Sequence, residues 1–211
     1  MIDARLDGPV ARITLDNPAA HNALDQAAMR EITACLGDWA ARDDLRVLVL
    51  TGRGRSFCAG AALGDVAGAD WSVNPLTALC DAVDAFPVPV VAGLNGGVYG
   101  GGMELALACD LRVGVAGMRA FAPPARLGIH YEPAGIARAI ERLGAQAARL
   151  SGKDQRRIAA QLRLDPCKRG LVQIVRHLHT GIGAPAGLVP GLGGGLADLL
   201  RHVLRSLEKC G

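Results

Sequence analysis

Two glycine-rich corners hold the residues of this chain best suited to chemistry: Ser56-Phe-Cys-Ala-Gly-Ala-Ala-Leu63 and Asn95-Gly-Gly-Val-Tyr-Gly-Gly-Gly-Met-Glu-Leu105. Small residues let backbone N–H groups approach a ligand closely. A helix N-terminus adds partial positive charge aimed at a developing anion. Two such corners could together form an oxyanion hole, in which each preorganised N–H donor contributes roughly 2.7–4 kcal/mol to a transition state. The plain alternative is a pair of tight turns. A phosphate cradle fits less well: no Gly-Lys-Ser/Thr follows the glycines, and Gly100-Gly101-Gly102 runs straight into Met103-Glu104 rather than completing a dinucleotide fingerprint. Glu104 is the one charged residue among Leu and Ala on the helix after the triple glycine. It is either a buried carboxylate, costly without a partner, or an exposed residue at a helix start that the dipole favours.

The elements that must position these corners alternate between strand and helix, which predicts an α/β class. Val10 to Leu15 alternates apolar and polar residues like a half-buried strand. Asn22 to Ala41 reads as a helix, with Asn22 or Asp25 as cap and Leu24, Ala28, Ile32, Cys35, Leu36 and Trp39 at helical spacing. Arg46 to Thr51 and Pro87 to Leu94 are apolar runs of the kind buried on both faces. Leu76 to Phe86, Met103 to Cys109 and Gly135 to Leu143 read as helices, Leu111 to Val115 as a strand, 64–75 as a surface loop and Asn95-Gly96-Gly97 as a turn. Strand–turn–helix recurs about every 45 residues.

Asn22-Ala-Leu, Val47-Leu-Val-Leu-Thr-Gly, Ser56-Phe-Cys-Ala-Gly-Ala, Pro87-Val-Pro-Val-Val-Ala-Gly-Leu-Asn-Gly and Gly100-Gly-Gly-Met-Glu-Leu-Ala-Leu-Ala-Cys-Asp-Leu-Arg follow one another in the order of the signature segments of the crotonase (enoyl-CoA hydratase/isomerase) superfamily. Phe121-Ala-Pro-Pro and Leu127-Gly fit the next segment, so the chain resembles that superfamily over about residues 10–145. The resemblance implies a crotonase-like superhelix of β-β-α turns, acyl-CoA substrates and a homotrimer or hexamer. It implies an oxyanion hole from the backbone N–H groups of Ala61 and Gly101, and CoA contacts near Ala23, Leu24, Ala59, Ala61 and Leu63. It implies a catalytic role for Glu104. The second glutamate of the family's hydratases should follow Pro124, where this chain has Ala125. Glu132, four positions after Gly128, resembles the acid/base carboxylate of several family isomerases and of the chlorobenzoyl-CoA dehalogenases; otherwise it is a surface residue of a Tyr-Glu-Pro loop. The position usually holding Asp after Gly-Ala is Ala62 here.

Other reactive residues are given no chemical role. Cys58 and Cys109 match packing positions, His130 reads as a structural or rim residue, and no Cys/His cluster, His177 and His179 included, has zinc-finger spacing, so no metal site is expected. Six cysteines without CxxC spacing, no signal-type apolar run and no apolar stretch of membrane-spanning length lead to a cytoplasmic expectation without a membrane partner. The net charge of +3 gives no ground for a nucleic-acid partner.

Charge divides the chain. Residues 1–150 hold 13 Arg, no Lys and 16 acidic residues for a net of −3, whereas 151–211 hold ten basic and four acidic residues for a net of +6. The expected organisation is a core domain at 1–150 and an atypical C-terminal region at 151–211, with Leu196 to Leu207 a short amphipathic helix. That region would be a partial lid or oligomerisation segment, with truncation or a changed frame left open. The expected function is an enoyl-CoA hydratase/isomerase-like enzyme that stabilises an acyl-CoA enolate, isomerisation favoured over hydration, with no cofactor beyond the coenzyme A of the substrate. A catalytically silent acyl-CoA-binding protein and a CoA-thioester hydrolase or dehalogenase are the alternatives.

Overall fold

The computed structural model describes residues 1–62, 74–122 and 132–150. Five strands form one sheet in the order β1 (Ile2–Asp7), β2 (Val10–Leu15), β3 (Val47–Gly52), β5 (Val90–Leu94), β7 (Leu111–Gly114). Only β1 and β2 are antiparallel; every later pair is parallel. Three short strands, β4 (Ser56–Cys58), β6 (Gly97–Tyr99) and β8 (Ala120–Phe121), form a second parallel sheet. The helices among the described residues are α1 (Gln26–Ala40), α2 (Pro75–Asp84), α3 (Gly101–Ala108), α4 (Pro133–Leu143) and α5 (Ala145–Leu150), with a 3-10 turn at Pro18–Ala20.

The unit is therefore a long strand, a short strand and a helix. It recurs as β3-β4-α2 and β5-β6-α3, and β7-β8 begin it once more ahead of α4. This is the α/β architecture of β-β-α turns that the resemblance implies. Parallel strands need crossovers, and the helices supply them. Successive helices pack on one another in chain order, α1 on α2, α2 on α3 and α3 on α4. Their inner faces meet Leu48 and Leu50 of β3 and Leu94 of β5 in one core, in which Ile32, Leu79 and Leu105 are fully buried. Burying each such side chain contributes about 1.5–3 kcal/mol.

Local chemistry sets the helix ends. Asp25 caps α1 through a carboxylate that accepts from Ala28 N at 2.7 Å. Asn74 caps α2 by accepting from Leu76 N at 3.0 Å, with Pro75 at the first helical position. The expected helix from Asn22 thus begins four residues late. His21 and Asn22 take left-handed backbone conformations, φ 53 and 57, which no helix continues. At the other corner, α3 starts at Gly101 rather than Met103, and the expected turn at Gly97 is the start of β6. Pro75, expected in a loop, opens α2.

Burial corrects one further expectation, and pairing adds one strand. β2 is an interior strand, so all of it except the partly covered Arg12 is buried, Thr14 included. β1, absent from the expected elements, alternates Ile2, Ala4 and Leu6 with Asp3, Arg5 and Asp7 and pairs with β2 from Ile2↔Leu15 to Asp7↔Val10. Among the described residues no helix is long and apolar enough to cross a membrane. Leu63, Ala125, His130 and the whole of 151–211 lie outside the described residues, and so do the segments expected there.

Candidate active site

Asn22 organises the first corner. Its amide is buried, accepts from Asn17 N at 2.9 Å, and donates to Arg53 O at 3.0 Å and Ser56 O at 2.7 Å. Asn95 works on the same turn from the other side, accepting from Gly52 N at 3.1 Å and donating to Gly54 O at 2.7 Å. Side-chain amides fit this task because one group offers both donors and acceptors. The turn so fixed delivers the chain into β4.

With Asn22 in place, Ala23 and Leu24 leave it towards Ala59 to Ala62. Leu24 N donates to Gly60 O at 2.8 Å and Ala62 N donates to Leu24 O at 2.8 Å, a one-residue parallel bridge between Leu24 and Ala61. The two segments singled out for CoA contact are thus hydrogen-bonded neighbours. In such a bridge the flanking groups of 60 and 62 turn towards Leu24, so the N–H of Ala61 turns away from it.

The second corner arrives on β6. Gly100 N donates to Phe121 O at 3.0 Å, and the rings of Tyr99 and Phe121 pack with centroids 4.9 Å apart. Gly100 has φ 52, a conformation costly for any side chain. It turns the chain into α3, and Gly101 becomes the first residue of the helix. A Cβ on Gly60 would stand 2.5 Å from Gly101 N, and one on Gly102 would strike the carbonyl oxygen of Cys58. The close approach of the two backbones requires glycine at both places. A Cβ on Gly101 would lie 3.5 Å from Ala61 N. An ideal Cβ is about 2.5 Å from its own nitrogen, so the nitrogens of Ala61 and Gly101 are at most about 6 Å apart. That separation leaves room for one oxygen between them at about 2.9 Å from each. Neither N–H donates to an acceptor among the described residues.

Glu104 lies in the first turn of α3 and is 5% exposed, so the exposed reading of this residue fails. Three helices enclose its carboxylate. Gly135 of α4 lies directly against it: a Cβ there would come within 2.7 Å of Glu104 Oε1. Arg138, one turn further on α4 and equally buried, places Nη1 3.7 Å from Glu104 Oε1 and donates from Nη2 to Asp81 Oδ1 of α2 at 2.8 Å. The Arg138–Glu104 contact is an ion pair beyond hydrogen-bond reach, and Glu104 Oε1, Arg138 Nε and Arg138 Nη1 have no hydrogen-bond partner among the described residues.

Burial pushes the Glu104 carboxyl above its ordinary value; Arg138 opposes the shift, while Asp81 and Glu132 add to it. Glu132 is exposed at the N-cap of α4 and makes no side-chain capping bond. Its charge acts on Glu104 only as the weakest of these causes. Cys58 and Cys109 are fully buried and their thiols are pushed up to about 12 by burial, which suits packing and not thiolate chemistry. Among the described residues no three His, Cys, Asp or Glu side chains group as metal ligands.

Asp81 and Arg138 are not expected from sequence, and Asn95 is expected only as part of a turn. The pattern of α4 points the other way: Gly135 and Arg138 share the buried face, while Ile136 and Ile140, the more hydrophobic pair, are 47% and 45% exposed.

Residues 5–176 match the enoyl-CoA hydratase/isomerase family. The chain is 44% identical over 108 residues to a protein of Mycobacterium tuberculosis named probable enoyl-CoA hydratase, an alignment covering 49% of this chain and 42% of the relative. It is 35% identical over 153 residues to an enoyl-CoA hydratase of Alternaria alternata, covering 71% of this chain and 51% of the relative. The chain thus spans about half the length of the curated relatives it matches. Among solved structures it is similar to an enoyl-CoA hydratase of Bacillus anthracis, with a TM-score of 0.65, 29% identity, and coverage of 71% of this chain and 61% of the other.

Proposed function

The chain belongs to the enoyl-CoA hydratase/isomerase family, and we propose that it acts on an acyl-CoA thioester by stabilising its enolate, moving a double bond rather than adding water. The observation that carries this reading is the approach of Ala61 N and Gly101 N across Gly60. The thioester oxygen would sit between the two donors and take up negative charge as a proton leaves the α carbon. The CoA part would run along Ala23, Leu24, Ala59, Ala61 and Leu63. Coenzyme A enters as part of the substrate and no other cofactor is invoked.

Glu132 would take the α proton of a 3-enoyl-CoA. The electron pair moves onto the thioester oxygen as the enolate forms, the double bond shifts to the 2-position, and the γ carbon receives the proton back. Glu104 would serve as the second proton carrier. Ala125 has no carboxylate with which to activate water, which disfavours the two-glutamate hydration. General acid–base transfer of this kind contributes about 10²–10⁴-fold. A homotrimer or hexamer in the cytoplasm, with 151–211 as a partial lid or contact segment, completes the proposal, and fatty acid metabolism is its natural setting.

Purified protein is incubated separately with 3-enoyl-CoA and crotonyl-CoA, followed by absorbance and mass. Isomerisation is expected to exceed hydration, and Glu132→Gln is expected to lower it at least about tenfold with CoA binding nearly unchanged. Full activity of Glu132→Gln, or brisk hydration dependent on Glu104 alone, overturns the reading. Binding without any turnover favours the silent acyl-CoA binder.

A further inference from the structure

The Arg138 guanidinium is the buried charged group nearest Glu104 that the proposed reaction leaves without a task. It bridges two helices: Nη2 is held by Asp81 of α2 at 2.8 Å, and Nη1 faces Glu104 of α3 at 3.7 Å. Its own helix also supplies Gly135, whose missing side chain lets the Glu104 carboxyl lie against the backbone. A buried arginine with two nitrogens unbonded among the described residues is expensive unless nearby negative charge compensates it. The uncompensated side of this guanidinium faces Glu104.

We propose that Arg138 is the positioning residue of Glu104, with Asp81 as the anchor that holds the guanidinium far enough back for the carboxyl group to change its charge during turnover. This rests on the proton-carrying role proposed above for Glu104. At 3.7 Å, without a hydrogen bond, the guanidinium restrains the carboxylate electrostatically but does not lock it as a bidentate pair would. A locked carboxylate would be a poor proton carrier, and an unaccompanied one would stay protonated in this buried place. The distance sits between those extremes, and Asp81 sets it.

Among the described residues, the groups facing Glu104 and Arg138 are Cys80, Asp81 and Asp84 on α2 and Glu132 at the start of α4. Cys80 is buried with its thiol pushed well up, so it stays neutral. Asp84 is engaged by Arg142 at 3.1 Å. Asp81 is therefore the acidic partner whose removal changes the guanidinium most directly.

The test follows the Glu104 carboxyl carbon by NMR across pH in the full chain, beside the pH profile of 3-enoyl-CoA turnover. Arg138→Met is expected to move the Glu104 midpoint up by about one unit or more, the low side of what one opposite charge at this range does. It should lower kcat while KM changes little, and Arg138→Lys should restore part of both. Asp81→Asn is expected to move the midpoint down, because a like charge is lost and the guanidinium is free to close on Glu104. An unmoved midpoint in folded Arg138→Met, or in Asp81→Asn should the Met variant not fold, overturns the proposal. Shifts in these directions in a protein that turns over no acyl-CoA uphold the positioning and sink the proposed reaction. Turnover with midpoints that stay in place does the reverse.

Discussion

The candidate site has two corners built on opposite principles. At the Ala61–Gly101 corner the working groups are backbone amides, and side chains matter by their absence: Gly60 and Gly102 keep open a space that any Cβ would fill. At the Glu104 corner the working groups are side chains from three helices, Asp81, Glu104 and Arg138, and backbone contributes only the bare surface of Gly135. A backbone corner is fixed by the fold itself and holds no charge that titrates. A side-chain corner can change its charge, and it carries the cost of burying ionic groups. Holding an anion suits the first, and moving protons suits the second.

Breaking the backbone corner should have the largest effect. Gly60→Ala puts a methyl group 2.5 Å from Gly101 N at a residue with φ 89, so the two amides must separate. Loss of one oxyanion donor lowers turnover about 10²–10³-fold, and steady-state kinetics on 3-enoyl-CoA would read it. An Ala variant with unchanged kcat would mean that the two amides do not act together.

The next effect tests whether the backbone corner stands on its own. Asn22→Ala removes the two donors and one acceptor that hold the turn before β4. Leaving such buried groups unsatisfied costs about 1–3 kcal/mol, which a urea unfolding curve would register. A midpoint equal to that of the wild type would place the support in Asn95 alone.

The smallest effect sharpens the contrast from the other side. Burial raises the Glu104 carboxyl above its ordinary value. Between the ordinary and the raised value the native state binds more protons than the unfolded chain, so this group's contribution to stability falls as pH rises through that window. Glu104→Gln abolishes the titration. Its melting temperature should match the wild type below the window and exceed it above, while activity is lost. Thermal denaturation at a series of pH values checks the sign, and a Gln variant that is the less stable above the window would show that Arg138 outweighs burial.

Legibility in sequence follows the same division. The glycine corners can be read as places where backbones come close, because glycine at 60 and 100–102 lies between buried strands and a helix, but tight turns use the same residues and only the order of the family segments separates the two readings. Glu104 stands out as a lone carboxylate in a helix of Leu and Ala. Arg138 and Asp81 do not, because a charged residue on an amphipathic helix ordinarily marks the solvent face. α4 inverts that expectation, burying Arg138 and exposing Ile136 and Ile140. β4, β6 and β8 have three, three and two residues, too few to show a period, and their pairings join positions as distant as Ser56 and Gly97. β1 is legible, since Ile2, Ala4 and Leu6 alternate with Asp3, Arg5 and Asp7, although three charges in six residues resemble a solvated terminus. The long buried strands β3 and β5 and the helix faces of α1 and α2 are legible, since their apolar runs are continuous or helically spaced.

The strand order has a consequence for how the molecule assembles. In both sheets the spatial order of strands is the order of synthesis, β1-β2-β3-β5-β7 and β4-β6-β8. Each sheet grows at one edge, and no strand has to enter between two already paired. The hairpin of β1 and β2 closes through the two-residue loop Gly8-Pro9, with Gly8 at φ 56, and such local pairing takes about 1–10 μs. β3, β5 and β7 each follow a helix and dock on an edge already present, while β4, β6 and β8 follow them directly and build the second sheet. Assembly can thus proceed from the amino end while the rest is still being made, and the two amide corners meet only when β6 and α3 arrive.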